Sequence, residues 1–137
     1  MGGGGATPYL LKAANLGDLE DTDEARQNLG LYDDNKNTIL GENALVSNTT
    51  GNSNVAIGAF VMQRNTTGYD NVAIGNSTMQ RNTRGNSNVA IGANALISNT
   101  TGNSNVATGS NALATNTTGT RNVATGASAL KSNTTGS

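Results

Sequence analysis

The sequence predicts an all-β chain, a parallel β-solenoid or β-roll of six 17-residue coils preceded by a short helix. Three observations carry that expectation. Gly51, Gly68, Gly85, Gly102, Gly119 and Gly136 recur every 17 residues. Between them, a short V-A-I or V-A-T stretch returns at a fixed offset, bounded by Asn, Gly and Thr. The 137 residues are only 34% hydrophobic and 3% aromatic, with no Trp, which is a poor supply for an ordinary globular core. Stacked coils escape that shortage, because each layer buries its small side chains against the next.

The units run 34–50, 51–67, 68–84, 85–101, 102–118 and 119–135, with Asp34 in place of the leading Gly of the first. Four positions of the unit never vary. The fourth is Asn37, Asn54, Asn71, Asn88, Asn105 and Asn122, and the eighth is Gly41 and its equivalents. The fifteenth is Asn48, Asn65, Asn82, Asn99, Asn116 and Asn133, and the sixteenth is Thr49 and its equivalents. Asn stacked on Asn forms side-chain amide ladders, so both Asn columns are read as structural.

Within a unit, V-A-I is β-branched and apolar and makes a short strand that Gly ends. The following A-L makes a second brief strand. N-T-T-G-N is dense in turn formers, with Gly supplying a positive φ at no steric cost. A helical hairpin is the rival, but Gly, Asn and Thr recur where helix interiors would fall, and Gly there costs about 1 kcal/mol. Along the strand, Val55 and Ile57 point one way and Ala56 the other. The same alternation sets Val72, Ile74, Val89, Ile91, Val106 and Val123 on a common face. One face fills the thin coil and the other needs cover, so these residues are core or interface. A second copy of the chain is the economical cover. Thr108 and Thr125 replace Ile in the last two units, so this seam grows more polar toward the C-terminus.

Charge divides the chain into 1–33, which does not repeat, and 34–137, the repeat shaft. Residues 1–34 carry two cationic side chains against seven carboxylates, or −5, and residues 35–137 carry six against two, or +4. In the first part, Asp21 with Glu24 resembles a capping box, and Gly30 is a C-terminal stop, which places a short helix at about 21–29. Leu16, Leu19 and Leu31 flank it.

Little in the sequence suggests catalysis or a cofactor. Cys and His are both absent, which removes thiolate and imidazole ligands and the commonest general base. The repeat region holds only Glu42 and Asp70 as carboxylates beyond Asp34, in different positions of the unit, so no acid–base pair, metal site or enzyme activity is expected. Positive charge and aromatics are too sparse for nucleic-acid binding, and no apolar run is long enough to cross a membrane. The N-T-T triplets match a glycosylation acceptor pattern as a by-product of turn chemistry. Units two and three do break the pattern with Phe60, Arg64, Tyr69, Arg81 and Arg84, where other units hold smaller residues. Arg64 and Arg81 share a position and would stack one layer apart. These five are a candidate surface patch for an acidic sugar or a neighbouring protein, set against an ordinary solvated face.

Two resemblances bear on function. Residues 10–31, L-L-K-A-A-N-L-G-D-L-E-D-T-D-E-A-R-Q-N-L-G-L, resemble a bacteriophage tail-fibre motif of the form N-L-x-D-L-x-D-x-x-x-A-R-x-N-L-G-L. Leu16, Leu19, Asp21, Ala25, Arg26, Leu29 and Gly30 are among the matching residues. The N-x-V-A-I-G units are similar to head repeats of trimeric autotransporter adhesins, which form trimeric left-handed β-rolls, and to arrays in phage fibre shafts. The resemblance implies a homotrimeric structural protein of the virion, located in a tail fibre. Residues 1–33 would join other virion or fibre proteins, and the shaft would serve attachment to a host surface receptor such as a glycan. The alternatives are a bacterial cell-surface adhesin head and, from the regular Thr columns, an ice-binding solenoid.

Overall fold

The computed structural model describes Leu29, Leu31 and residues 33–137. The expected helix at about 21–29 and the motif residues Leu16, Leu19, Asp21, Ala25, Arg26 and Gly30 lie outside the described residues. Leu29, at the end of that stretch, sits in a turn. Among the described residues no segment is helical.

Six three-residue strands follow one another, β1 (Thr38–Leu40), β2 (Val55–Ile57), β3 (Val72–Ile74), β4 (Val89–Ile91), β5 (Val106–Thr108) and β6 (Val123–Thr125). They pair in parallel in chain order to form one sheet. The register is one sequence unit per step, so Val55 lies beside Val72, Val72 beside Val89, and Ala73 beside Ala90. A parallel pair needs a long return connection, and here the rest of each 17-residue coil is that connection. The result is a parallel β-solenoid of about five turns. At about 4.8 Å per step, β1 and β6 stand roughly 24 Å apart.

The A-L half of the coil is not the second strand the sequence suggests. Its backbone alternates into the left-handed region, with Phe60 at φ 60° and Met62 at 47°, Asn94 at 60° and Leu96 at 50°. Left-handed backbone costs an L-residue about 1–2 kcal/mol and is rare for bulky side chains. Two gains offset it. The amides of Met62, Met79 and Leu96 donate to the carbonyls of Thr78, Ala95 and Ala112 on the next coil, each at 3.0 Å. The side chains of the same three residues are fully buried. The ladder continues around this side of the coil, but with a backbone folded tightly enough to close the loop.

Glycine also works differently from the expectation at one position. Gly85, which ends an N-T-R-G turn, has no positive φ; its need is for space. A Cβ there would lie 2.3 Å from Asn82 Oδ1 and 2.5 Å from the Gly102 carbonyl. The left-handed φ in that turn falls two residues later, at Ser87. Gly92, after β4, needs both, with φ at 129° and a Cβ position 2.6 Å from the Gly109 carbonyl carbon.

The core is a thin column. Ala56, Ala73, Ala90 and Ala107 from the strands join Val61, Met62, Met79, Leu96 and Leu113 from the opposite half in one buried cluster. The Ala face of the strand is therefore the interior. Val55, Val72, Val89, Val106, Ile57 and Ile74 are half-buried, Ile91 and Val123 are exposed, and all of them face outward. They lie outside the core cluster, on the outer face of the sheet.

At the N-terminal end of the described stack, Leu31 and Asp33 hydrogen-bond to the first coil. The Leu31 carbonyl accepts from the Ile39 amide at 3.0 Å. Asp33 Oδ1 accepts from the Asn35 and Asn37 amides and from Asn37 Nδ2, all at 3.0 Å, and Oδ2 accepts from Asn37 Nδ2 at 2.9 Å. Each Asn in this column directs its backbone amide and one Nδ2 proton toward the N-terminus, so the first one needs an acceptor ahead of it. A carboxylate supplies that acceptor. Asp33→Ala should lower stability by about 1–2 kcal/mol in a denaturant titration and expose the Asn37 amide to hydrogen exchange. Unchanged stability and unchanged Asn37 protection would remove the capping role.

Candidate functional site

Three surfaces or columns emerge from the stack, and each predicted site residue of the repeat region falls on one of them. The first is the pair of amide ladders. Asn88 Nδ2 donates to Asn71 Oδ1 at 3.1 Å and to the Gly102 carbonyl at 2.9 Å. Its own Oδ1 accepts from the amide and the Nδ2 of Asn105, at 2.9 and 3.1 Å. Both protons and both lone pairs of a fully buried amide are thus used. Asn54, Asn71 and Asn105 repeat this pattern, with Asn37 and Asn122 at the ends.

The fifteenth-position column forms a second ladder. Asn65, Asn82, Asn99, Asn116 and Asn133 each donate to the Asn one coil earlier, beginning from Asn48, at 2.8–3.0 Å. The two ladders converge on shared carbonyls. Gly85 accepts from Asn71 Nδ2 at 2.9 Å and from Asn82 Nδ2 at 3.1 Å. Every buried side-chain nitrogen and oxygen among the described residues has a partner. This satisfaction is what lets so polar a chain hold a dry interior.

The ladders also settle two lesser matters. Asn65, Asn99 and Asn116, in N-T-T triplets, are fully buried, and their amide nitrogens serve two acceptors each. The sixteenth-position threonines tie coil to coil, with the Thr66, Thr83 and Thr100 hydroxyls donating to the carbonyls of Thr83, Thr100 and Thr117 at 3.0–3.1 Å. The sequence offered this Thr column only as part of a candidate ice-binding row and gave it no structural role. The outward Thr row is therefore the seventeenth position alone, where Arg84 interrupts Thr67 and Thr101.

The second surface is the outer face of the sheet. Val55, Ile57, Val72, Ile74, Val89 and Ile91 form two adjacent apolar columns on strands held in strict register. Val106 and Val123 continue one column, while Thr108 and Thr125 make the other polar. The interior Ala residues on the same strands are sealed, but Ile91 retains 39% of its exposure and Val123 68%.

The third surface is the patch in units two and three. Arg64 and Arg81 are exposed one coil apart, and Arg84 is exposed in the same coil as Arg81. Tyr69 is 43% exposed, and its amide donates to Asn86 Oδ1 at 3.0 Å. Phe60 is half-buried at a left-handed position on another part of the coil, so it does not share the arginine column. Glu42 and Asp70 are both exposed and occupy different columns. Among the described residues, no group of three or more His, Cys, Asp or Glu is arranged to hold a metal ion. No helix among them is long and apolar enough to cross a membrane.

Asp33 is the residue that sequence reading missed. It lies in an acidic run, where a single carboxylate carries no distinguishing mark. The signal was its place, four residues ahead of the first Asn of a ladder whose donors point backward. Comparison with family models, with curated proteins and with solved structures finds no match.

Proposed function

We propose that the chain is the shaft of a tail-fibre-like appendage: three copies pack side by side through the Val/Ile face, and residues 1–33 join the shaft to the rest of the particle. The observation that carries this reading is the outward apolar double column on a solenoid whose interior is already complete. The coil needs no further core, yet it presents Val and Ile at a regular step along one side. Covering the exposed half of each such side chain is worth roughly 1 kcal/mol, summed along the rod and over each contact between copies. The tail-fibre resemblance of residues 10–31 and the adhesin-like repeat support three parallel copies with a role in host attachment. The mechanism is one of rigidity and multivalency, in which parallel copies turn weak contacts into firm adhesion.

The solution mass tests it. The wild-type protein should run as three chains in light scattering at micromolar concentration. Val89→Asp with Ile91→Asp should run as one chain while keeping its β-type far-ultraviolet spectrum, because both side chains lie outside the coil. A wild-type protein that is monomeric at that concentration would overturn the proposal.

A further inference from the structure

The geometry points to Arg64, Arg81 and Arg84 as a binding ladder for an acidic polysaccharide, one that bears carboxylates on successive sugars. This deepens the attachment reading above, and rests on it, by naming the chemistry of the partner.

The argument begins with the cost of the arrangement. In the fourteenth position most units hold Ser or Thr, namely Ser47, Ser98, Thr115 and Ser132. Only units two and three place Arg there, directly above one another. Their backbones cannot slide apart, because the Arg64 amide donates to the Gln80 carbonyl at 3.0 Å and the Arg81 amide to the Ile97 carbonyl at 3.1 Å. Like charges stacked at about 4.8 Å disfavour the fold unless something neutralises them. Within the described chain nothing does: neither guanidinium has a carboxylate or any other partner. The neighbouring position changes in the same two units, to Gln63 and Gln80, and the Gln80 amide nitrogen donates to Gln63 Oε1 at 3.0 Å. That rung fixes the ridge beside the two arginines and leaves a hydrogen-bonding edge along it.

Position on the coil favours an external ligand. Arg64 follows Ala56 by eight residues and precedes Ala73 by nine, so it lies half a coil from the sheet. A sister copy on the Val/Ile face would leave it free. The ligand is an anion with repeated charge, since the two guanidiniums repeat at the layer step, which is close to the length of one sugar ring along a polysaccharide. Arg84 extends the positive strip, and exposed Tyr69 in the same coil offers a ring face. Nucleic acid fits worse. Duplex DNA carries a charge every ~1.7 Å, and single strands are held by several stacked aromatics, against three arginines and one tyrosine here.

The test uses the variants that the chain itself shows to be tolerated, Arg64→Ser, Arg81→Ser and Arg84→Thr, combined in the full-length protein. The probe is a galacturonate tetramer, compared with its methyl ester and with a single-stranded oligonucleotide of equal charge, by calorimetry at low salt. The wild type should bind the tetramer, bind the ester at least about tenfold more weakly, and lose affinity as salt shortens the screening length. The triple variant should lose at least about tenfold, or 1.4 kcal/mol, with an unchanged spectrum and unchanged mass. No binding by the wild type, equal binding by the variant, or tighter binding of the oligonucleotide would each overturn the proposal. Solution mass separates the two readings. A trimer without affinity sinks the ladder alone, whereas a monomer with affinity sinks the shaft and upholds the ladder.

Discussion

Asn88→Asp should lower the thermal midpoint by roughly 15 °C or more, a large effect for the exchange of one nitrogen for one oxygen. In the native stack, Asn88 Nδ2 sits 3.1 Å from Asn71 Oδ1 and 2.9 Å from the Gly102 carbonyl. A carboxylate oxygen there would face two acceptors with no proton between them, at a site sealed from water. Protonating the carboxyl supplies one hydrogen where two are needed, and burial charges the cost of that protonation to folding. The expected loss is about 4 kcal/mol, in the range found when a buried polar network loses one member. Asn86→Asp is the matched control two residues away. Asn86 Oδ1 accepts from the Tyr69 amide at 3.0 Å and the Asn86 backbone amide donates to Asn103 Oδ1 at 2.8 Å, while its side-chain Nδ2 makes no hydrogen bond among the described residues. A carboxylate keeps that acceptor at a half-exposed site, so the midpoint should move by no more than about 2 °C. Similar losses for the two variants would mean that the ladder is not what holds the layers.

The ladder was legible in the sequence because an invariant Asn at a fixed period has few other uses, and a 17-residue step stacks each one on its predecessor. The strand was legible for a similar reason, since V-A-I followed by Gly has one obvious conformation. The other half of the coil was not. Leu96 and Met79 carry no mark of a left-handed backbone, and their φ values of 50° and 51° follow from hydrogen bonds to the next coil that no local pattern encodes. The interior face was ambiguous because Val, Ala and Ile are all apolar, so alternation separated two faces without ranking them. What ranks them is packing against the opposite half of the coil, which seals the Ala face and leaves the Val/Ile face half-open. Beneath the strand, Ala56, Ala73, Ala90 and Ala107 are fully buried in one cluster with the Leu and Met side chains of the opposite half. The arginine column was found by counting alone. Its lack of partners became visible only once the surrounding columns were in place.

That ranking of faces yields the second large effect. Ala90→Ile should destabilise the coil by about 3 kcal/mol, whereas Val89→Thr, on the adjacent residue, should cost about 0.5 kcal/mol or less. Ala90 is fully buried between Ala73 and Ala107, each one step away in the sheet. Three added carbons have little room, since the strands on either side are held in register by the ladders and by the sheet pairing. The chain contains its own comparison. Ile39 occupies the same column in β1, the edge strand of the sheet, and is only half-buried. An Ile is therefore acceptable on the edge strand, and it should fail on a strand paired on both sides. Thr38 likewise occupies the Val column of β1, so Thr on the outer face has a precedent. The two variants also separate folding from assembly. Ala90→Ile should lose stability and mass together, because the coil itself opens. Val89→Thr should keep its spectrum and melting cooperativity and only move dissociation of the proposed trimer to higher protein concentration. If Val89→Thr proved the more damaging to the spectrum, the outer columns would be core, and the copies proposed to cover them would have no face to bind.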